Sequence, residues 1–244
     1  MDSINPIINL KDISFSYSNG KLTLDGLSFQ LREGDRIGMV GPNGSGKTTL
    51  FHIIMGLLRP HSGIIELFGK PADNENSFRE ARKRIGLLFQ DSDDQLFCPT
   101  VLEDVAFGPL NLGKSPEEAR DISMKTLARL NLAGFENRIT YKLSGGEKRL
   151  VALATILAMS PDVLLLDEPT NGLDEGTEEK ITDILKGLDL SCIFISHNLD
   201  FLFNTTDRIY CMANGKISLD EELVPHPHIH AHKSGRLPHE HESK

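Results

Sequence analysis

The chain has 244 residues, 39% of them hydrophobic and 25% charged, which is enough apolar mass to bury a core unaided, as one domain or a domain with an inserted lobe. Lys and Arg number 26 against 35 Asp and Glu, a formal net charge of -9, a poor electrostatic match for a phosphate backbone that argues against nucleic acid as a partner. The start, MDSINPIINL, is acidic and polar where a signal peptide needs a basic start and an apolar run, and no segment approaches the roughly 18 to 20 apolar residues that span a bilayer, so the chain is not expected to cross a membrane by itself.

Ile7 to Tyr17 alternates apolar with polar residues, and Leu27 to Leu31 does so again after an Asn19-Gly20 turn signal. This predicts two antiparallel strands with one solvated face. Arg36 to Val40 reads as a short apolar strand, and GPNGSGKTTLFHIIMGLL then passes through a glycine-rich turn into an amphipathic helix that stops near Gly56 to Pro60. Ser62 to Phe68 is a further strand, and the basic stretch Glu80 to Arg84 precedes the apolar segment Ile85 to Phe89. From Gln90 the composition changes. Pro99 to Gly113 holds four prolines and glycines with no sustained period, and Pro116 to Leu132 is helical in pattern, its start marked by Ser115, Pro116, Glu117 and Glu118. Residues from roughly 91 to 158 therefore read as a helical lobe inserted into an α/β body.

Residues 145–159 form the next helix, and Val163 to Glu168 is apolar and short enough for a strand flanked by helices. Glu178 to Leu188 is a helix, Ser191 to Ser196 a strand and Leu199 to Thr205 a short helix; Arg208 to Met212 and Lys216 to Leu219 form a closing hairpin around Ala213-Asn214-Gly215. Residues 1–222 make one domain on this reading. Residues 223–244, with three prolines, six histidines and little to bury, are expected to be a flexible tail. Cys98, Cys192 and Cys211 show no close pairing, as in a reducing compartment.

The densest signal is Gly41 to Thr48, GPNGSGKT, which is the full phosphate-binding pattern set between a strand and a helix. Gly44 and Gly46 let backbone N–H groups turn inward with no Cβ in the way, and the helix that follows offers its positive end to the same point. Lys47 supplies a mobile charge for the β and γ phosphates, and Thr48 a hydroxyl for Mg²⁺. A glycine turn that merely opens a helix is the plain alternative, and the complete pattern in this context argues against it. The strand VLLLDEP, Val163 to Pro169, ends in two acids. Asp167 suits the Mg²⁺ shell and Glu168 an attacking water, the division of labour that phosphoryl transfer needs. Either acid alone would read as a solvated strand end.

The order GPNGSGKTT, Gln90, LSGGE (Leu143 to Glu147), VLLLDEP, NGLD (Asn171 to Asp174) and His197 resembles the nucleotide-binding subunits of ATP-binding cassette (ABC) transporters over roughly residues 5–222. Within that family, LLFQDSDDQLFCPTVLEDVAFGPLNLG is most similar to the ATPases of energy-coupling-factor importers, particularly the cobalt and nickel uptake group. The resemblance implies an α/β P-loop NTPase fold of the ABC ATPase type, with a mixed-sheet core, an antiparallel β subdomain and an inserted α-helical subdomain. It also implies ATP and Mg²⁺. Tyr17 matches the aromatic residue that stacks on adenine, and Gly41, Pro42, Asn43, Gly44, Ser45, Gly46, Lys47, Thr48 and Thr49 match the phosphate cradle. Gln90 corresponds to the residue that joins Thr48 and Asp167 around Mg²⁺ and relays to the transmembrane partner. Glu168 corresponds to the general base and His197 to the contact with the γ-phosphate. Ser144, Gly145, Gly146 and Asp174 match positions that face the nucleotide of the opposite subunit in a head-to-tail dimer enclosing two ATP molecules.

Read without the resemblance, Tyr17 is a core aromatic, Ser144 a helix N-cap and His197 a turn residue. Two positions depart from the family pattern: Glu147 stands where Gln is frequent, and Leu150 where Arg usually follows, with Arg149 next door. The implied partners are a transmembrane coupling subunit, a substrate-binding membrane subunit and a second ATPase subunit, which is permitted to be the same chain because one chain carries every motif. The implied location is the cytoplasmic face of the cell membrane. Leu96, Phe97, Val101, Val105 and Phe107, mixed with acids, suit either docking of a membrane-protein helix or packing of the lobe itself.

In the tail, His226, His228, His230 and His232 alternate with other residues, followed by His239 and His241. Imidazoles in this pattern suit Ni²⁺ or Co²⁺, and a solvated tail that binds metal incidentally reads equally well. Three alternatives stand beside the metal importer. They are a soluble cassette ATPase acting on nucleic acid or ribosomal components, a vitamin importer ATPase, and a metal-storage protein that retained the fold.

Overall fold

The computed structural model describes residues 6–18 and 20–219. Strand β1 (Ile8–Ser16) pairs antiparallel with β2 (Leu22–Leu31), in a register that runs from Ile8↔Leu31 to Ser16↔Leu22. β2 starts five residues before the alternation in its sequence suggests. The register slips where Phe15 meets Leu24 and Ile13 meets Leu27, and Gly26 takes φ 60 in between, so the period-two pattern is broken while the pairing continues. Gly20 closes the connection with its N–H on the Tyr17 carbonyl; Asn19 lies outside the described residues. β4 (Ser62–Leu67) and the two-residue β5 (Lys70–Pro71) complete an antiparallel sheet in the order β2-β1-β4-β5.

The second sheet has the order β10-β9-β3-β8-β7-β6. Its strands are β3 (Arg36–Val40), β6 (Ile85–Leu88), β7 (Val163–Asp167), β8 (Ser191–Ile195), β9 (Arg208–Ala213) and β10 (Lys216–Leu219), parallel except for the closing β9–β10 hairpin. Every residue of β7 and β8 is buried, because both faces of this sheet are covered. Alternation then assigns side chains to two cores. Val163, Leu165, Ile193 and Ile195 face Leu50, Phe51 and the antiparallel sheet. Leu164, Leu166, Cys192 and Phe194 face the other way, toward Val151, Ile181, Leu185 and Phe201.

Helix α1 (Lys47–Ile54) follows β3 directly. Helix α2 (Glu75–Arg82) shows only its basic end in the sequence pattern. It buries just Phe78 and Ala81, too few for a period, and is started by an Asn74–Ser77 capping box. Three helices lie between β6 and β7: α3 (Val101–Asn111), α4 (Pro116–Arg129) and α5 (Gly145–Leu157). The prolines and glycines of α3 give its sequence no sustained helical period, yet the segment is helical. Pro109 occupies its last turn, and Gly108 is where a Cβ would come within 2.5 Å of the Met159 side chain, so these residues serve close packing and do not end the helix. Helix α6 (Glu175–Lys186) begins three residues before the predicted start because Asp174 caps it, and α7 (Leu199–Thr205) coincides with its prediction. Among the described residues no helix is long and apolar enough to cross a membrane. The expected tail, with His226, His228, His230, His232, His239 and His241, lies outside the described residues.

Candidate functional site

The loop between β3 and α1 is shaped by its glycines. Gly41 has φ 147, and a Cβ there would lie 2.1 Å from the Met212 carbonyl oxygen; Gly46 has φ 108 and would strike the Leu24 and Met212 side chains. No other residue type fits either place. Lys47, buried at the start of α1, folds its Nζ back to donate to the carbonyls of Gly41 (2.7 Å) and Pro42 (3.1 Å). Burial pulls its ammonium below the usual lysine range, against the pull of nearby Glu168 and Asp167.

The end of β7, separated from β3 by β8 in the sheet, supplies the acids. The Thr48 hydroxyl donates to Asp167 Oδ2 at 2.7 Å, joining α1 to the end of β7. Burial raises the Asp167 carboxyl above the ordinary range, opposed first by the Thr48 hydrogen bond. Glu168 is 7% exposed and takes φ 48, a left-handed backbone that strands do not use. Its N–H donates to the Ile195 carbonyl at 2.9 Å, and its Oε2 accepts from the His197 backbone N–H at 3.3 Å. Burial likewise raises its carboxyl, against the bond from His197. The His197 ring reaches both sides of the gap, with Nε2 3.5 Å from Glu168 Oε1 and 3.2 Å from Asn43 Oδ1. Residues from positions 43 to 197 thus meet around one loop.

The remaining expected residues fall in three places. Tyr17 stands beside the loop, half-exposed, its hydroxyl 3.1 Å from Thr49 Oγ1 and its ring edge-on to Phe15 at 5.0 Å. Gln90 lines a cavity of about 860 Å³ together with Thr48, Asp167, His52, Arg149 and Gly145. Ser144, Gly146 and Asp174 form a separate corner. Ser144 and Glu147 make a reciprocal capping box at the start of α5, Asp174 caps α6 through Thr177, and a Cβ on Gly146 would come 2.9 Å from Thr177. Thr177 also holds the Asp174 carboxyl below the ordinary range.

The two departures from the family pattern have structural answers. Glu147 accepts from the Ser144 N–H at 2.9 Å and from Arg138 at 2.7 Å, a cap that Gln makes as well. Leu150 is core, while Arg149, 5% exposed, carries the guanidinium that bonds Phe89, Gln90 and Glu168. Arg149 and the cavity-lining His52 carry no motif signal in the sequence that marks them as site residues. Of the mixed apolar segment, Val101 and Val105 are fully buried in the lobe, whereas Phe97 and Phe107 are exposed and pack edge to face at 4.8 Å.

Two observations bear on ligand fit. Ser45 Oγ is buried in the loop without a hydrogen-bond partner, an unpaired group that a phosphate oxygen would satisfy. Thr48 and Asp167 present hard oxygen donors side by side, the set that Mg²⁺ takes alongside phosphates. Among the described residues there is no cluster of three or more His, Cys, Asp and Glu side chains able to hold a metal ion. The thiols of Cys98 and Cys192 are pushed up to about 11 by burial and stay protonated.

Residues 24–171 match the family described as ABC transporter. The chain is 50% identical over 241 residues to a Nitratidesulfovibrio vulgaris protein named as a candidate ABC transporter ATP-binding protein, covering 98% of this chain and 88% of that one. It is 44% identical over 215 residues to the energy-coupling factor transporter ATP-binding protein EcfA of Methanocaldococcus jannaschii, covering 86% and 77%. Among solved structures it is similar to CbiO1 of Clostridium perfringens, part of the ABC transporter complex CbiONQ, with a TM-score of 0.79 and 34% identity over 88% of each chain. The match spans most of the described chain, and the relatives extend it over both sheets and the helices between them; this chain belongs to the ABC transporter family, as an ATP-hydrolysing cassette.

Proposed function

We propose that this chain is the ATPase subunit of an energy-coupling-factor importer, held at the cytoplasmic face of the membrane by a transmembrane coupling subunit and a substrate-binding membrane subunit, and that it powers uptake of nickel or cobalt. The convergence of Lys47, Thr48, Asp167, Glu168 and His197 on one loop carries the catalytic part of this reading. Glu168 takes a proton from the attacking water at its carboxylate, which burial makes more basic and the His197 N–H keeps aimed. Lys47 leaves the Gly41 and Pro42 carbonyls for the phosphates, and His197 spans the base and the loop. Thr48 and Asp167, with Gln90 facing the same cavity, would hold Mg²⁺, which when bound spreads the charge of the phosphate oxygens.

Ser144, Gly145, Gly146 and Asp174 are read as the half-site for ATP held by a second copy, with Tyr17 stacking on adenine. The EcfA and CbiO1 relatives support the transporter setting. The substrate reading rests on the six histidines from 226 to 241 and on the resemblance to cobalt and nickel importers.

Cells carrying the complete transporter, assayed for labelled nickel and cobalt, test this reading. Uptake is expected to need this chain and to be lost in Glu168→Gln, whose ATP turnover should fall roughly 10² to 10⁴-fold, the usual contribution of a general base, with ATP still bound. Uptake that persists in Glu168→Gln would favour the storage reading, and copurification with nucleic acid in place of hydrophobic membrane subunits would favour a soluble cassette.

A further inference from the structure

The loop that follows β6 is fastened to helix α5 at several points. Gln95 donates from Nε2 to the Ala152 carbonyl and to the Thr155 hydroxyl, both at 2.9 Å, and its Oε1 accepts from the Phe89 N–H at 3.3 Å. Lys148 Nζ pairs with Asp93. Arg149 adds two charge-assisted bonds, to the carbonyls of Phe89 and Gln90, each at 2.6 Å. The segment that carries Gln90 is therefore tied to α5 by three side chains, Gln95, Lys148 and Arg149.

The same guanidinium makes a third bond, from Nη2 to the Glu168 carbonyl at 3.3 Å. Glu168 lies 19 residues away in the chain, directly after the last residue of β7. Its left-handed backbone, φ 48, is one that a non-glycine residue keeps only when its surroundings hold it. Four groups do so here: the Ile195 carbonyl accepts its N–H, the His197 N–H donates to its carboxylate, and its carbonyl accepts both from the Asn171 N–H at 3.2 Å, within the turn, and from Arg149, the one of these two donors that comes from another element. Leu150 is directed into the apolar core and offers no donor.

We propose that Arg149 is a positioning residue for ATP hydrolysis: it holds the Glu168 peptide in its left-handed turn and makes the aim of that carboxylate follow the loop carrying Gln90. The inference rests on the reading of Glu168 as general base. A shift of the Gln90 loop moves α5 with it through Gln95 and Lys148, and Arg149 transmits that shift to the Glu168 backbone. Lysine at 149 keeps the charge but has no planar fork to span three carbonyls, so it is a partial replacement only.

The test is a double-mutant cycle on ATP turnover by the assembled transporter, with binding of a fluorescent ATP analogue measured in parallel as a check on the folded nucleotide site. Arg149→Met is expected to lower kcat by on the order of 100-fold, the scale of an ångström misplacement at a reacting group, with KM for ATP changed less than about twofold and analogue binding retained. Arg149→Lys is expected to recover part of that loss. In a Glu168→Gln background, Arg149→Met should cost less than about twofold more, since residues that act through one another are not additive. Should Arg149→Met fail to bind the analogue, Arg149→Lys carries the same cycle with a smaller drop. Equal fold-losses in both backgrounds, unchanged kcat, or a loss confined to KM would overturn the proposal while leaving Glu168 as base. Full turnover in Glu168→Gln alone would overturn the base assignment, and this inference with it.

Discussion

Gly41 and Gly44 separate two demands that a phosphate loop makes on single residues. Both have positive φ, 147 and 77, but a Cβ at Gly41 would meet the Met212 carbonyl oxygen at 2.1 Å while one at Gly44 meets nothing within 4 Å. Gly44→Ala is therefore expected to cost only the left-handed backbone strain, roughly 1–2 kcal/mol. Gly41→Ala must also move β9 and should cost clearly more, with thermal unfolding of the two variants giving the order. Asp167 carries a different kind of strain. Its carboxyl is raised by burial, so the folded chain binds a proton more readily than the unfolded one, and stability falls as pH rises from the ordinary carboxylate range through the folded value. Without nucleotide or metal, Asp167→Asn should melt above the wild type at neutral pH, and the gap should close below about pH 4, near the unperturbed value for Asp. The same variant should lose Mg²⁺-dependent turnover, a trade expected where a site stores instability for function.

Two helix starts carry a proposed role beyond capping. Ser144 caps α5 and Asp174 caps α6 through side chains that the family resemblance also assigns to a partner's nucleotide. Ser144→Ala is expected to cost the isolated chain about 1 kcal/mol, the usual value of an N-cap, read from denaturant unfolding. ATP-driven dimerisation of the same variant should fall by more than that stability loss explains; a loss in proportion would leave Ser144 as a cap alone. Elements whose signals are local were legible. The α1 and α5 starts, the β9–β10 hairpin and the apolar runs of β7 and β8 follow from contiguous residues. Helix α3 was not, because Gly108 and Pro109 look like breakers until the neighbouring Met159 side chain is in view. Nor was α2, whose eight residues bury only Phe78 and Ala81.

For the whole molecule, the uneven placement of histidines is the feature that reaches beyond the cassette. A chain ending at Glu222 should keep ATP turnover and lose most nickel or cobalt stoichiometry in a titration by calorimetry; full retention would remove the tail from metal handling. The proposed site was nominated from sequence alone, since a phosphate loop and an acid pair at a strand end impose their backbone and charge requirements on adjacent residues. The sequence by itself thereby determined the family, and it supplied the proposed cradle from Gly41 to Thr49 and the proposed acids at 167 and 168. Only the tertiary structure decided that Thr48 meets Asp167 across 119 residues, that His197 reaches back to Asn43, and that Arg149, not Leu150, faces the Gln90 loop. The last choice is one of helical phase: neighbours on α5 differ by about 100° around its axis, and which of them meets a core and which a row of carbonyls is fixed by the elements packed against the helix, not by the helix itself.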